Sequence, residues 1–163
     1  MKVYHGSNGD IDTIDVTRGS QFRDFGRGFY VTPDFETAKR MADKKTRLFG
    51  GQKTIIEYEF DESVLDTSEL QVIVFPERAT ADWIRFVARN RDRHNPVSST
   101  GFDIVKGPIA DDGVALQLSR LKVHADHAEA IAADLQDKYL DQQICFCSFR
   151  SLILLKKSTT WKI

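Results

Sequence analysis

Cysteine is scarce in this chain, because Cys145 and Cys147 are the only two among 163 residues. They lie two positions apart in the run QQICFCSF. On one face of an extended strand their Cα atoms are separated by about 7 Å, which a relaxed disulfide does not span without distortion. No further residues with metal-type spacing accompany them. The pair therefore favours free thiols in a reducing compartment, and we expect no metal.

Long apolar runs and an excess of one sign of charge are also missing. The start MKVYHGS has no apolar signal-peptide core, and no run approaches the roughly 20 apolar residues that span a bilayer. Lysine and arginine number 23 against 24 aspartates and glutamates, so net charge provides no global attraction to nucleic acid or to an anionic membrane. We expect a cytoplasmic protein without membrane contact.

The hydrophobic pattern predicts one α+β domain over residues 1–163. Strands are predicted at 2–4, 29–31, 54–60, 70–75, 102–109 and 143–147, with an edge strand in the ending STTWKI. Helices are predicted from Pro33, with Thr32 as the N-cap, from Pro76, and over 125–137. Because strands outnumber long helices and alternate with them irregularly, a mostly antiparallel split sheet with flanking helices fits better than a doubly wound fold.

The run RDFGRGFY is the most unusual part of the sequence. Gly26 and Gly28 lead into Phe29 and Tyr30, which alternation along a strand places on opposite sides. One of these aromatic rings can therefore enter the core while the other lines a cleft. The run lacks the third glycine of a dinucleotide-binding loop and precedes a strand instead of following one, which excludes a Rossmann site.

Arginine is concentrated in two stretches. The first is the loop before Phe29, whose arginines either meet a pyrophosphate or form a solvated surface loop; they are Arg18, Arg23 and Arg27. The second is either a local nucleic-acid patch or a solvated helix end, and comprises Arg85, Arg89, Arg91, Arg93 and His94.

Three short runs together resemble the diphtheria-toxin-like branch of ADP-ribosyltransferases, which includes the poly(ADP-ribose) polymerases. These runs are YHGS, then GRGFYVT about 25 residues later, and a strand beginning QICF near the C-terminus. In that branch the three signature strands carry His, Tyr and Glu. More closely, the chain resembles a family of bacterial proteins, the domain of unknown function 3990, over nearly its whole length. The resemblance implies an ADP-ribosyltransferase-like split sheet and NAD⁺ as substrate.

The resemblance also assigns roles to individual residues. His5 would hydrogen-bond the adenosine ribose, and the backbone of Gly6 would hold the nicotinamide carboxamide with help from the Ser7 hydroxyl. Tyr30 would stack on the nicotinamide ring. Met41 stands where the polymerases have a second tyrosine that covers the other ring face, and a thioether also makes favourable contacts with aromatic rings. The expected NAD⁺-binding set is completed by Arg18, Arg23 and Gly28.

The third signature position departs from the polymerases, because Gln143 stands where they have glutamate, with Gln142 as the neighbour that a shift of one residue would select. Ile144 and Phe146 share the core face of the strand, which directs Gln143 to the opposite side. Gln143 would grip the ribose 2′-OH. An amide offers a developing oxocarbenium ion only its carbonyl dipole, so single transfer is expected over chain elongation.

Asp111 is the candidate for a catalytic carboxylate supplied from elsewhere. With Asp112 it follows the run KGPI, in a loop that either overhangs the cleft or caps the following helix.

The resemblance thus implies an NAD⁺-dependent mono-ADP-ribosyltransferase that modifies a macromolecular acceptor, either protein or nucleic acid. It further implies a bacterial toxin restrained by an antitoxin protein. Two alternatives stay open: an NAD⁺ glycohydrolase that uses water as acceptor, and a catalytically inactive module that binds NAD⁺ or ADP-ribose. The glutamine at position 143 is the chief argument for the inactive module.

Overall fold

The computed structural model describes residues 1–66, 69–119 and 127–163, and the strands within them form two sheets. The first sheet contains three antiparallel strands, β1 (Lys2–Ser7), β3 (Thr54–Phe60) and β7 (Leu155–Lys162). Their order is β1-β3-β7. The last strand therefore lies at an edge, as predicted for the ending STTWKI.

The second sheet contains β2 (Phe29–Val31), β4 (Val72–Val74), β5 (Ile104–Pro108) and β6 (Gln142–Phe146). Their order is β2-β6-β5-β4. The β4–β5 pair is parallel, whereas β6 runs antiparallel to both of its neighbours. Together with the helices, these antiparallel-dominated sheets confirm the predicted α+β class.

The two sheets meet at a single described bridge between Tyr4 and Thr32. The backbone N–H of each residue donates to the carbonyl of the other, at 2.7 and 2.9 Å. This bridge joins the middle of β1 to the residue that follows β2. It brings His5 and Tyr30 together although they are 25 residues apart in the chain.

Helix α1 (Phe35–Phe49) covers β1. Its N-cap is Asp34, whose carboxylate accepts from the Thr37 N–H at 2.6 Å, instead of the predicted Thr32, whose backbone is engaged in the bridge between the sheets. Gly6 makes the close packing possible: a Cβ atom there would lie 2.0 Å from the Ala38 carbonyl oxygen. Strand β1 continues beyond the predicted end at residue 4, because Gly6 and Ser7 pair with Ile55 and Thr54 of β3. His5 therefore lies within the strand and not at its end.

Three further helices flank the second sheet: α2 (Ala81–Arg91), α3 (Asp112–Ser119) and α4 (Ala128–Asp134). Helix α2 begins at Ala81 after its N-cap Thr80, five residues beyond the predicted start at Pro76. Helix α3 was expected only as the helix that Asp111 or Asp112 would cap, without bounds. Helix α4 is shorter than the predicted helix over 125–137, of which residues 125 and 126 lie outside the described residues. Within the described chain, none of the helices is long and apolar enough to pass through a membrane.

Apolar side chains pack on both faces of the second sheet. Tyr30 and Cys145 belong to a cluster with α2, α3 and α4. Their neighbours Phe29, Ile144 and Phe146 belong to a second cluster, which includes residues of β1 and β3. The predicted alternation of Phe29 with Tyr30 and of Gln143 with Ile144 is therefore confirmed.

Candidate functional site

Five of the predicted site residues line one small cavity at the junction of β1, β2, β6 and α1. They are His5, Gly6, Tyr30, Met41 and Gln143, and Arg23 of the predicted set lines this cavity as a sixth residue. The cavity has a volume of about 40 Å³ and is called the inner cavity below. A space of this size holds about one water molecule.

A larger cavity of about 400 Å³ adjoins the inner one and is called the outer cavity. Its walls include three further predicted residues, Ser7, Arg18 and Gly28. The two cavities share three lining residues, namely His5, Arg23 and Lys45. The volume of the outer cavity lies in the range of small-molecule sites.

His5 is buried and neutral. Its Nδ1 atom lies 2.6 Å from the Tyr30 carbonyl oxygen, and because a carbonyl oxygen can only accept, Nδ1 carries the hydrogen. The Nε2 atom is then an acceptor for Lys45 Nζ at 3.1 Å. Burial, with a smaller effect from the nearby Lys45 charge, lowers the pKa of His5 to about 3. The imidazole stacks on the Phe29 ring with 4.3 Å between centroids.

Lys45 is a site residue that the sequence analysis missed. Its Nζ donates to the Gly6 carbonyl oxygen at 2.7 Å and to His5 Nε2. Burial and the Arg23 charge lower the pKa of Lys45 to about 8, without a carboxylate among the causes. The available signal was its position four residues after Met41 on the same helix, which places both side chains on one face.

Tyr30 anchors the loop that precedes β2. Its hydroxyl donates to the Gly26 carbonyl oxygen at 2.6 Å and accepts from the Phe25 N–H at 3.0 Å. Burial raises the pKa of Tyr30 well above its usual value. The guanidinium of Arg23 lies over the Tyr30 ring, 5.0 Å from its centroid. In this structure a cation therefore lies over one face of the ring on which the nicotinamide was expected to stack.

Gln143 has only its side-chain oxygen left for a ligand. It is 4% exposed, and its Nε2 donates to Asp24 Oδ2 at 2.8 Å and to the Pro108 carbonyl oxygen at 3.2 Å. An amide nitrogen has two hydrogens, so both are engaged. The remaining polar group, Oε1, can only accept hydrogen bonds.

Asp24 is the buried carboxylate beside Gln143, and the sequence analysis missed it. It belongs to the run RDFGRGFY but was not singled out there. Its Oδ2 also accepts from the Ala110 N–H at 2.9 Å. Its Oδ1 pairs with Arg91, at 2.8 Å from Nε and 2.5 Å from the terminal nitrogen.

Asp111 does not line either cavity. Its carboxylate accepts from the Val114 N–H at 2.9 Å and pairs with Lys138 at 2.8 Å. The hydrogen bond from Lys138 is the main reason that the pKa of Asp111 is lowered. The structure therefore gives Asp111 the capping role at α3, and the carboxylate near Gln143 is Asp24.

The second arginine stretch does not form one basic surface. Arg91 points inward to Asp24, whereas Arg85 pairs with Glu129 and Asp82. The Arg93 guanidinium lies over the Phe22 ring, 4.7 Å from its centroid.

Metal-type ligands are not clustered in the described part of the chain, where no group of three or more His, Cys, Asp or Glu side chains could hold an ion. Cys145 and Cys147 are free thiols. Their sulfur atoms lie 3.4 Å apart.

The fold and the cavities define an α+β protein with two linked sheets and a cleft lined by three cations, two aspartates, a neutral histidine and a buried glutamine. A family model described as "Protein of unknown function (DUF3990)" matches residues 1–156. The chain therefore belongs to this family. No curated protein and no solved structure matches the chain.

Proposed function

We propose that the protein is an NAD⁺-dependent mono-ADP-ribosyltransferase that transfers ADP-ribose to a macromolecular acceptor. One observation carries the proposal. Five of the six residues to which the resemblance assigns a role toward NAD⁺ line one cavity although the chain separates them widely: His5, Gly6, Tyr30, Met41 and Gln143. The sixth, Ser7, lines the adjoining outer cavity.

The charge of the cleft supports an anionic ligand. Arg23 and Lys45 line both cavities, and Arg18 lines the outer one. No described carboxylate pairs with Lys45, and Arg23 contributes to the lowering of its pKa. Asp10 and Asp15 also line the outer cavity, but Asp10 pairs with Lys157 and Asp15 accepts from the Thr17 N–H. Among the described residues no carboxylate pairs with Arg23 or Lys45, so these two neighbouring cations can attract an anion such as the pyrophosphate of NAD⁺.

The inner cavity has to open before a nicotinamide ring can enter. Its volume of about 40 Å³ is close to that of a single water molecule. The Arg23 guanidinium lies over the Tyr30 ring, and Lys45 Nζ donates a hydrogen bond to the Gly6 carbonyl oxygen. Both are long, flexible cations, and both can turn toward the pyrophosphate. Their movement would free the ring of Tyr30 and the backbone of Gly6 for nicotinamide.

The transfer itself breaks the bond between ribose C1′ and the nicotinamide nitrogen. Nicotinamide leaves with the bonding electrons, the sugar passes through an oxocarbenium-like state, and a nucleophile of the acceptor bonds to C1′ and loses its proton. Gln143 Oε1 would accept from the ribose 2′-OH and direct its dipole at the developing positive charge. A neutral residue at this position favours a single transfer.

The resemblance adds the biological setting to this proposal. It supports a bacterial toxin that acts in the cytoplasm and that an antitoxin protein restrains. A module that binds NAD⁺ without catalysis is the second candidate, because an amide stands at position 143 and Arg23 covers the Tyr30 ring.

The test is incubation of the purified protein with cell lysate and NAD⁺ that carries a label in its adenylate half. Label that stays on macromolecules supports the transferase, and separate digestion with nuclease and protease identifies the acceptor class. Free labelled ADP-ribose would instead establish a glycohydrolase, and unchanged NAD⁺ a binding module. Gln143→Ala is expected to lose activity, and Asp111→Asn, which alters an acid outside both cavities, serves as the matched control. A protein that binds neither NAD⁺ nor nicotinamide in calorimetry would overturn the proposal.

A further inference from the structure

We propose that Asp24 is a positioning residue, which holds the amide of Gln143 in the orientation that presents Oε1 to the inner cavity. The inference rests on the proposed function, because it concerns how Gln143 meets the ribose. The geometry that carries it is the contact between Asp24 Oδ2 and Gln143 Nε2 at 2.8 Å.

The side-chain amide of Gln143 cannot rotate by 180° without losing hydrogen bonds. A rotation by 180° would bring Oε1 against Asp24 Oδ2 and the Pro108 carbonyl oxygen, which now accept from Nε2. Both are acceptors, so two hydrogen bonds would be replaced by two repulsive contacts in a buried place. Asp24 therefore determines which end of the amide a ligand meets.

Asp24 is itself fixed by several separate parts of the chain. Arg91 in α2 neutralises its Oδ1, and the Ala110 N–H donates to its Oδ2. The Asn90 side chain donates to the backbone carbonyl of Asp24 at 3.0 Å. Because Arg23 is the preceding residue, this anchor also holds the loop that places its guanidinium over the Tyr30 ring.

The negative charge of Asp24 acts on the sugar through the amide. A carboxylate that accepts from an N–H group polarises that amide and increases the electron density on its carbonyl oxygen. Gln143 with Asp24 behind it can therefore accept from the 2′-OH more strongly than a glutamine alone, while the charge of Asp24 stays paired with Arg91. No proton has to move from one group to another.

The test is a double-mutant cycle on NAD⁺ consumption by the full chain, with Asp24→Ala, Gln143→Ala and the double variant. If Asp24 acts through Gln143, Asp24→Ala lowers kcat by about 10- to 100-fold with a smaller change in KM. The double variant is then no slower than Gln143→Ala. Asp111→Asn is the control, because it alters an acid that lines neither cavity, and its kcat should stay near wild type. Multiplying losses in the double variant, or equal losses in kcat for Asp111→Asn and Asp24→Ala, would overturn the proposal.

A second measurement covers the case in which Asp24→Ala fails to fold. In the near-isosteric variant Asp24→Asn, the side-chain amide resonances of Gln143, assigned by their absence in Gln143→Ala, should shift in NMR spectra, and unchanged resonances contradict the contact. This readout needs no activity. A wild-type protein that neither binds nor consumes NAD⁺ would therefore overturn the proposed function, whereas full turnover in Asp24→Ala would overturn only the role of Asp24.

Discussion

Gln143→Glu introduces the residue that the resemblance to the polymerases would lead one to expect at this position. We expect it to lower the free energy of unfolding at neutral pH. The substitution replaces Nε2 by an oxygen atom that would lie 2.8 Å from Asp24 Oδ2 and 3.2 Å from the Pro108 carbonyl oxygen. Two donated hydrogen bonds are lost, and two carboxylates face each other in a buried place.

The magnitudes decide how the variant responds. Two unit charges at the 2.8 Å spacing of the present contact repel by about 6 kcal/mol if the effective dielectric constant is about 20. Uptake of one proton avoids this repulsion and costs about 3–4 kcal/mol at about pH 7, because glutamate has an ordinary pKa of about 4.3 and each pH unit is about 1.4 kcal/mol. Protonation costs less than repulsion, so the two carboxyl groups should share one proton. Arg91 beside Asp24 reduces both figures.

The sign of the pH dependence follows from the raised pKa of the introduced carboxyl group. An acid whose folded pKa lies above its unfolded value destabilises the fold increasingly as pH rises above the unfolded pKa. Relative to wild type, the variant should lose about 1 kcal/mol of unfolding free energy at about pH 5 and up to about 5 kcal/mol at about pH 8. NAD⁺ consumption should fall over the same interval as the side chain is pushed out of place.

Denaturant unfolding and NAD⁺ consumption at both pH values test this expectation. Gln142→Glu is the matched control, because the Gln142 amide donates to the carbonyl oxygens of Glu77 and Leu140 and, within the described chain, to no carboxylate. Its penalty should therefore depend less on pH. A Gln143→Glu variant as stable and as active as wild type at about pH 8 would refute the reasoning from Asp24.

Three further predictions concern the cations, the packing and the excluded acid. Lys45 loses its charge above its pKa of about 8, so Kd for NAD⁺ should rise between about pH 7 and about pH 9 in wild type but not in Lys45→Gln; a flat wild-type profile in calorimetry contradicts a role for the amine. Gly6→Ala places a methyl group 2.0 Å from the Ala38 carbonyl oxygen and should cost about 1–3 kcal/mol of stability, which a thermal melt would show; an unchanged melting temperature excludes the close packing. Asp111→Asn should lower the melting temperature slightly and leave NAD⁺ consumption unchanged, whereas lost activity would return Asp111 to the site.

The local alternation of apolar and polar residues was sufficient to predict most strands. The strand from Thr54 to Phe60 was predicted with its observed bounds, because a half-buried strand is indicated by the alternation of apolar and polar residues along the sequence. The bounds of helix α3 escaped prediction because it is only eight residues long, and a helix of that length depends on tertiary packing more than on its own pattern. In α3 that packing is made by two buried residues, Val114 and Leu118.

The candidate site was predictable only where a signature exists. The resemblance named residues such as His5 and Gln143, which the bridge between the sheets and the pairing of β2 with β6 bring to one cavity. Asp24 and Lys45 carry no such signature. Asp24 meets Gln143 across 119 positions, and Lys45 meets His5 across 40. These contacts depend on how the strands are ordered, and no local period encodes that order.

Arg23 and Lys45 connect the arrangement of the cleft with the ligand that we propose for it. Arg23 rests on the Tyr30 ring and Lys45 on the Gly6 carbonyl oxygen, so each satisfies a group that nicotinamide would use. They also repel each other, which contributes to the lowered pKa of Lys45. A pyrophosphate would relieve that repulsion and attract both cations. Its binding would therefore free the Tyr30 ring and the Gly6 carbonyl oxygen for the nicotinamide. Nicotinamide alone has no phosphate with which to displace them and should therefore bind more weakly than it does beside ADP-ribose.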